Sequence, residues 1–321
     1  MPTSKVYFTD LRTQIGVSQL DKLEKLIRAA GIGDIDFDHK MTAIKIHFGE
    51  PGNLTYLRPN YAKRVADVIK SLGGLPFLTD CNTLYPGRRK NALEHIESAY
   101  ENGFTPYSTG CQVIIADGLK GSDDIEVPVQ GGEYVKTAKI GRAIMDADIF
   151  ISLSHFKGHE MTGFGGTIKN IGMGCGSRRG KMEQHAAGKP NVSAKRCVGC
   201  RQCAKQCAQD AISYGEDRKA SIDHSKCVGC GRCIASCNFD AISAKNDSAI
   251  PDLNRKMAEY AKAVVDGRPQ FHISLVIDVS PYCDCHGEND MAILPDVGMF
   301  ASFDPVALDQ ACADACLKQE P

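Results

Sequence analysis

Eight of the 15 cysteines in this 321-residue chain form two near-copies of one motif, Cys-x2-Cys-x2-Cys-x3-Cys. Three cysteines this close together can each give a thiolate to one iron of a cubic [4Fe-4S] cluster, and the fourth cysteine ligates the other cluster. This rule divides the cysteines into two sets. The first cluster takes Cys197, Cys200, Cys203 and Cys237, and the second takes Cys227, Cys230, Cys233 and Cys207. We therefore predict two [4Fe-4S] clusters and electron transfer.

The two copies agree beyond their ligands. Residues 197–213 align with residues 227–243 and share Cys-Val-Gly-Cys, the third and fourth cysteines, and a closing Asp-Ala-Ile-Ser. Residues 190–245 thus resemble the bacterial two-cluster ferredoxins, in which two pseudo-symmetric halves share a small core. Ala208 and Asn238 replace the proline that usually follows the fourth cysteine, which removes a rigid φ angle but no ligand. The alternative is a zinc site or a disulfide knot, although zinc needs only four ligands.

Composition narrows the classes of partner. The net charge is -1 and no long block of like charge appears, so the electrostatic footprint of a nucleic-acid binder is missing. No stretch approaches 18 uncharged apolar residues, and Met1 to Lys5 lead into polar sequence without a signal peptide. We expect a cytoplasmic protein without a membrane span. Abundant cysteine then indicates metal or redox chemistry, and oxygen-labile clusters favour an anaerobic cell.

Alternating apolar runs and helical patterns predict the elements that position these residues. Strands are predicted at 43–48, 75–79, 112–116, 148–153 and 272–278, helices at 59–71, 88–102, 141–145 and 252–265, and a short β pair at 125–129 and 134–140. Asp304 and Pro305 are typical of the N-cap and first residue of a last helix. This order favours an α/β fold with a mostly parallel sheet and helices on both faces.

The cysteine-rich region is predicted to be an insertion, because a sheet strand and a helix follow it. The α/β host domain is then residues 1–189 plus 246–321. Residues 190–245 form a small α+β ferredoxin-like module. An inserted module has two connections, and these hold it close to its host.

A glycine-rich segment, residues 154–175, follows the predicted strand at 148–153. Ligands of open α/β sheets bind beyond the carboxyl ends of strands. Glycines allow close approach of the backbone and expose N–H groups to an anion, while lysines offset phosphate or carboxylate charge. The predicted ligand-binding residues are Lys157, Gly163, Gly165, Gly166, Lys169 and Asn170. Alternatively, the glycines only allow tight turns and the lysines face water.

Three histidines are candidate proton donors. His47, His155 and His159 each lie near the end of a predicted strand. Each electron added to an acceptor raises its basicity, and a nearby histidine can supply the proton. His155 and His159 also form a His-x3-His pair that is compatible with a metal, and His47 is alternatively a core residue.

Two more polar segments follow predicted strands. Cys283, Cys285 and His286 are candidates for an additional metal or reactive-thiol site. Thiolate chemistry needs a lowered pKa and exposure, and the alternative is that these cysteines pack as small hydrophobic side chains. Residues 80–85, with Arg88 beyond them, either bind a substrate or cap the next helix.

Five segments carry a wider resemblance. They are residues 44–50, 79–85, 154–160, 163–170 and 282–287. Through them nearly the whole chain resembles an iron-sulfur family catalogued as domain of unknown function 362. The resemblance implies an α/β host with an inserted two-cluster module, and it implies little about a reaction. The glycine-rich loop with its lysine is also similar to a stretch of nickel-pincer lactate racemases, from which no ligands are carried over.

We expect an oxidoreductase whose clusters pass single electrons to or from a small-molecule substrate, or a second, unidentified cofactor or metal, in the α/β domain. One alternative is an electron carrier that docks to a redox partner protein. Another is a non-redox metal-dependent enzyme with structural clusters. A flavin or nicotinamide fingerprint does not decide among them, because no Gly-x-Gly-x-x-Gly follows a strand at the expected distance from an acidic residue. The substrate, the direction of electron flow and the oligomeric state stay open.

Overall fold

The computed structural model describes residues 3–84, 87–185, 189–228, 233, 236–239, 241–244 and 249–319. The strands are β1 (Tyr7–Thr9), β2 (Met41–Lys45), β3 (Leu75–Asp80), β4 (Gln112–Ile115), β5 (Asp124–Pro128), β6 (Thr137–Gly141), β7 (Ile149–His155), β8 (Lys157–His159), β9 (Gly163–Gly165), β10 (Pro190–Val192), β11 (Ile212–Tyr214), β12 (Ala220–Ile222), β13 (Ile242–Ala244), β14 (Gln270–Val276) and β15 (Gly298–Ser302). The α-helices are α1 (Gln19–Ala29), α2 (Pro59–Ser71), α3 (Ala92–Glu101), α4 (Pro106–Thr109), α5 (Arg142–Asp146), α6 (Thr167–Cys175), α7 (Arg178–His185), α8 (Gln202–Lys205), α9 (Ala249–Val265) and α10 (Pro305–Cys316). Within these described ranges, no helix is long and apolar enough to cross a membrane.

A seven-stranded sheet in the order β1-β15-β14-β7-β2-β3-β4 forms the centre of the molecule. The five strands from β14 to β4 are parallel, and β15 and β1 add antiparallel pairs at one edge. The predicted α/β fold with a mostly parallel sheet is therefore confirmed. The antiparallel edge was not predicted.

Both faces of the sheet are covered by helices. On β7, Ile151 packs with α1 and α2 in one core, whereas the neighbouring Phe150 packs in a second core with Tyr260 and Val264 of α9. Successive side chains of a strand point to opposite faces, so a strand buried on both faces reads as a continuous apolar run. This packing explains why the uninterrupted run at 148–153 was a reliable strand signal.

The strand order reverses between β2 and β7. From β2 the sheet continues through β3 to β4, and from β7 it continues in the other direction to β14. Ligands of open α/β sheets bind in the crevice outside the carboxyl ends of strands at such a reversal. The predicted strand at 43–48 ends at Lys45, so His47 lies just beyond β2 at this crevice.

The cysteine-rich segment, residues 190–245, has its own small sheets. β10 pairs with β13 and β11 pairs with β12, both antiparallel, and none of these four strands joins the central sheet. The chain enters the segment after α7 and continues into α9 beyond it. The division into a host domain and an inserted module stays a prediction that this arrangement favours.

The last helix begins as expected. The Asp304 side chain accepts hydrogen bonds from the backbone N–H groups of Val306 and Ala307, and Pro305 is the first helical residue. The predicted pair at 125–129 and 134–140 is the β5–β6 hairpin. Helix α6 was not predicted, since its glycines made the segment read as a loop.

A glycine at the contact of α6 and α9 generates a stability prediction. A Cβ atom added to Gly172 would lie 2.0 Å from the carbonyl oxygen of Met257 on α9. A helix carbonyl cannot move aside alone, so we expect Gly172→Ala to push the helices apart. The expected loss of unfolding free energy is about 1 to 3 kcal/mol, measured as a lower thermal midpoint by circular dichroism.

Gly33→Ala is the matched control, because a Cβ at Gly33 meets nothing within 4 Å. We expect its midpoint to stay near that of the parent protein. Equal midpoints for the two variants would contradict the close approach of α6 and α9.

Candidate functional site

A polar cavity of about 60 Å³ lies at the carboxyl ends of β2 and β7. Seven predicted site residues line it: His47, His155, Lys157, Gly166, Lys169, Asn170 and Cys285. Asp80, Cys81 and Thr83 of the candidate segment 80–85 line it as well. The crevice at the strand reversal thus brings together segments that are far apart in the chain.

Lys45 and Asp80 form a buried ion pair across neighbouring strands. The Lys45 Nζ atom lies 3.0 Å from Asp80 Oδ1 and donates a 2.7 Å hydrogen bond to Asn170 Oδ1. Burial raises the pKa of Asp80, but Lys45 and other cations outweigh burial and the pKa is lowered overall. Gly174 makes room for this ammonium group, because an added Cβ would lie 2.5 Å from Lys45 Nζ.

Arg89 is a fully buried guanidinium with spare hydrogen-bond donors. Its Nε atom donates to Glu50 Oε2 at 2.8 Å, and the backbone N–H of Arg88 donates to Glu50 Oε1 at 2.6 Å. Arg89 lines the cavity, and its Nη2 atom has no hydrogen-bond partner among the described residues. Buried unpaired donors are costly unless a ligand or water meets them.

His47 presents a neutral ring to the cavity. The backbone N–H of Gly49 donates to His47 Nδ1 at 3.0 Å, so Nε2 carries the ring proton. Burial and the positive charge of Arg89 lower the pKa of His47 well below its usual value; the Cys283 charge opposes this shift, and Lys157 adds to it. His47 is therefore an N–H donor near neutral pH.

His155 is held at both ring nitrogens. Its Nδ1 atom lies 2.9 Å from Asp284 Oδ2, and its Nε2 atom lies 2.7 Å from the carbonyl oxygen of Ile277. Lys157 Nζ lies 3.4 Å from the same Asp284 oxygen. These contacts favour a positioning role for His155, and its predicted role as proton donor to a ligand is untested.

Cys283 lies in a site that stabilises a thiolate. Lys169 Nζ donates to its Sγ atom at 3.2 Å, and the backbone N–H of Cys285 donates to it at 3.4 Å. A hydrogen bond from the Cys285 thiol lowers the pKa of Cys283 well below its usual value; burial opposes this shift and Lys169 adds to it. The same hydrogen bond raises the pKa of Cys285. The Cys283 sulfur is therefore the acceptor and the Cys285 thiol the donor of this hydrogen bond.

His159 and His286 lie beside this pair. Two backbone N–H groups, of Met161 and Thr162, donate to His159 Nδ1 at 3.0 and 3.2 Å, so the ring proton is on Nε2. His159 also hydrogen-bonds Cys283. The His286 Nε2 atom lies 3.1 Å from Glu160 Oε1.

The glycines before α6 serve the protein's own side chains. The backbone N–H groups of Thr167 and Ile168 donate to the Asp309 carboxylate at 2.6 and 2.8 Å. A Cβ at Gly166 would lie 2.4 Å from Asp309 Oδ1. We expected backbone N–H groups of this segment to donate to a ligand anion. In the structure, these two donate to the Asp309 carboxylate instead.

Gly165 and Gly163 have different surroundings. A Cβ at Gly165 would lie 3.2 Å from Lys169 Cδ and 3.6 Å from Lys157 Nζ, so this glycine lets the two lysines approach each other. Gly163, the first residue of β9, has a φ of 77°, and nothing lies within 4 Å of an added Cβ. Lys157 and Lys169 line the cavity as predicted, and each also contacts an acidic or sulfur group of the protein itself.

The cysteine-rich segment contains a second, small cavity. Four cysteines are among its lining residues: Cys197, Cys200, Cys203 and Cys237. The backbone N–H of Ala211 donates to Cys207 Sγ at 3.4 Å, and that of Ala241 donates to Cys237 Sγ at 3.3 Å, at equivalent positions of the two motif copies. Cys227 and Cys233 lie within the described residues, and Cys230 lies outside them.

In the part of the chain that the structure describes, no three His, Cys, Asp or Glu side chains form a site for one metal ion. Cys283, Cys285 and His286 therefore do not form such a group. A [4Fe-4S] cluster differs from a single ion, because its four thiolates are spread around a cube. The thiol interpretation of Cys283 and Cys285 stays a prediction.

Several cavity residues were not selected from the sequence. Arg89 was passed over in favour of the adjacent Arg88, which instead pairs with Glu101 at the surface. Lys181 lines the cavity from α7 and donates to the carbonyl oxygen of Gly176 at 2.6 Å. A charged residue near a strand end is weak evidence for a binding site. The sequence does not distinguish Arg89 from Arg88, and only their contacts in the folded protein do.

Comparisons with known proteins give one family and two structural likenesses. A family model described as domain of unknown function (DUF362) matches residues 42–314. The lactate racemase apoprotein from Thermoanaerobacterium thermosaccharolyticum matches with 11% identity and a TM-score of 0.42, over 84% of this chain and 47% of that chain. A protein from Thermotoga maritima matches with 13% identity and a TM-score of 0.46, over 97% of this chain and 59% of that chain.

The chain thus spans about half the length of the first of these structures and about three fifths of the second. No curated protein matches the chain.

Asp309 generates a prediction about pH. Burial raises the pKa of Asp309 from 3.8 to about 6, although the Ile168 and Thr167 amides oppose the shift. The folded state thus holds this proton more tightly than the unfolded chain. The stabilisation is complete below pH 4 and is lost as the pH rises through 6. We expect unfolding free energy, relative to Asp309→Asn, to fall by about 1 kcal/mol from pH 5 to pH 7.

Chemical denaturation at each pH measures this difference. Asp314→Asn is the control, because Asp314 is an exposed carboxylate on the same helix. Parallel pH profiles for the parent protein and Asp309→Asn would contradict the raised pKa.

Proposed function

We propose that this chain, which belongs to the DUF362 family, is an iron-sulfur oxidoreductase that passes single electrons between two [4Fe-4S] clusters and a small anionic molecule. The clusters would be held by the cysteine-rich segment, and the anion by the cavity at the ends of β2 and β7. Residues 1–189 plus 246–321 and residues 190–245 are the two domains of this proposal.

One observation carries the proposal. The cavity of the cysteine-rich segment is lined by the first three cysteines of one motif copy and the fourth cysteine of the other, Cys237. This crossed set is the ligand set of one cluster in the two-cluster arrangement. A zinc site built from neighbouring Cys-x2-Cys clips has no need of the crossed cysteine.

The surroundings of the cysteines also fit a cluster. Cys197, Cys203, Cys233 and Cys237 share a hydrophobic cluster with Ala241 and Ile242. Backbone N–H groups donate to the sulfurs of Cys207 and Cys237, and such bonds stabilise thiolates and tune cluster potentials. When bound, each cluster supplies reversible one-electron transfer.

Of the two helices that flank the cysteine-rich segment in sequence, one lines the polar cavity and the other packs on a helix that lines it. Helix α7 precedes the segment and carries Lys181, which lines the cavity. Helix α9 follows it and packs on α6, where Met257 and Met173 share a small apolar cluster. Helix α6 carries Lys169 and Asn170, so the segment is joined to the elements that hold a ligand.

The polar cavity suits a small anion. Arg89 has an unpartnered Nη2 atom, His47 carries its proton on Nε2, and Lys181 pairs with backbone carbonyls. The volume of about 60 Å³ leaves room for about four water-sized groups. These features favour a carboxylate or phosphate of a few heavy atoms. An oxygen that gains negative charge on reduction can accept a hydrogen bond from the neutral His47 ring, which keeps its proton.

Paired cysteine variants test the crossed ligand sets. Cys200 and Cys237 are assigned to the same cluster, whereas Cys207 is assigned to the other. After anaerobic purification, we expect Cys200→Ala/Cys237→Ala to keep one whole cluster, about half of the parent's iron and sulfide. We expect Cys200→Ala/Cys207→Ala to lose both clusters.

Iron and acid-labile sulfide counts, with electron paramagnetic resonance of the reduced protein, measure this difference. The reversed result would show that each motif copy holds its own cluster. A zinc content that replaces iron in the parent protein would overturn the electron-transfer proposal.

Anion binding at Arg89 is the second test. Calorimetry with acetate, oxalate and inorganic phosphate asks which anion binds the parent protein. We expect Arg89→Lys to weaken that binding about tenfold or more, because lysine keeps the charge beside Glu50 but lacks the forked donors. The control is Arg88→Lys, since Arg88 pairs with Glu101 and does not line the cavity. Equal affinities for the two variants would exclude Arg89 as the anchor.

A further inference from the structure

We propose that Cys283 and Cys285 form a reversible dithiol-disulfide couple in the wall of the polar cavity. The couple holds two electrons, so it would match one-electron clusters to a two-electron substrate, a role that rests on the proposed function.

The local backbone brings the two sulfurs together. The Cys283 carbonyl accepts a 3.0 Å hydrogen bond from the His286 N–H, which closes a turn over residues 283–286. The Cys285 N–H points at the Cys283 Sγ atom, 3.4 Å away. Disulfides need a Cα separation below about 7 Å, and residues two apart in a turn are closer than this.

The donors around Cys283 differ from those around the chain's other buried cysteines. Lys169 Nζ lies 3.2 Å from its sulfur, and His159 also hydrogen-bonds it. Burial raises the pKa of Cys81 well above its usual value and raises that of Cys175 to about 12. Cys81 and Cys175 are thus packed as thiols, whereas the Cys283 sulfur accepts hydrogen bonds from a lysine and a backbone N–H, which favour its thiolate form.

The two cysteines have different access to a reagent. Cys283 is fully buried, whereas Cys285 is partly exposed and lines the cavity. A small-molecule disulfide that approaches the cavity from solvent therefore meets Cys285 first. Cys283 can then act as the resolving thiolate, which attacks the mixed disulfide at Cys285.

The exchange balances in two steps. Cys285 loses its proton and attacks one sulfur of the small-molecule disulfide, which forms a mixed disulfide and releases one thiol with that proton. The Cys283 thiolate then attacks the Cys285 sulfur and releases the second half of the reagent as a thiolate. One S–S bond forms in the protein, one S–S bond breaks in the reagent, and two electrons pass to the reagent.

Redox titration of the full-length, anaerobically purified protein tests the pair. Samples equilibrated in mixtures of oxidised and reduced dithiothreitol are acid-quenched, alkylated and mapped by mass spectrometry. We expect one disulfide that joins Cys283 to Cys285 and grows with the oxidised fraction, while Cys81, Cys175 and Cys312 stay alkylated. Alkylation of Cys283 and Cys285 at every ratio would overturn the proposal, and so would a disulfide with a different partner.

Lys169→Met separates this couple from an accidental disulfide. Lys169 stabilises the reduced form through the thiolate, so its loss favours oxidation. In one buffer we expect the ratio of oxidised to reduced pair to rise about tenfold or more. Tenfold corresponds to a potential about 30 mV lower. Lys181→Met is the control, since Lys181 lines the same cavity and donates to backbone carbonyls. Equal ratios for parent and Lys169→Met would overturn the assignment.

The disulfide between Cys283 and Cys285 can be measured without a bound anion and without enzymatic turnover. A disulfide in protein without iron would support the couple and remove its link to the clusters. A missing disulfide in protein with both clusters would overturn the couple and leave the proposed function standing.

Discussion

The buried ion pair between Lys45 and Asp80 is the contact on which the site depends. Charges taken out of water are tolerated only with a close partner and further hydrogen bonds. Lys45 reaches Asn170 of α6, and the Asn170 side-chain amide donates to the Leu153 carbonyl and the Ser154 hydroxyl of β7. One pair thus ties β2, β3, β7 and α6 together at the strand reversal.

The other buried charges around the cavity are arranged in the same way. Arg89 pairs with Glu50, Lys157 pairs with Asp284, and Lys169 donates a hydrogen bond to the Cys283 sulfur. Because internal anions neutralise most of these cations, the cavity is less positive than its lysines suggest. Selectivity for an anion then depends on the few donors left over, above all Arg89 Nη2. His47 stays neutral beside these cations, because burial and the positive charge of Arg89 lower its pKa.

Sequence patterns predicted the parts of the molecule that depend on periodicity and spacing. The apolar run at 148–153 reads as a strand because both faces of β7 are buried, and the motif copies by themselves assign Cys237 to the cysteines of the other copy. Contacts between distant segments leave no such pattern. Gly165 and Gly166 read as a ligand cradle, yet they make room for two lysines and for the Asp309 carboxylate. Arg88 and Arg89 are adjacent in sequence, but the backbone directs the Arg88 side chain to the surface and the Arg89 side chain into the cavity.

The contact between Asp309 and α6 joins two parts of the chain that are synthesised at different times. Helix α6 forms one wall of the cavity, and the backbone N–H of its first residue, Thr167, donates to the Asp309 carboxylate. Asp309 lies 142 residues further along the chain, on α10. A ribosome makes that carboxylate after the whole cysteine-rich segment. The segment can therefore fold while the start of α6 still lacks its partner. A nascent chain that has not yet made α10 would contain the complete cysteine-rich segment, but the amides at the start of α6 would lack their carboxylate.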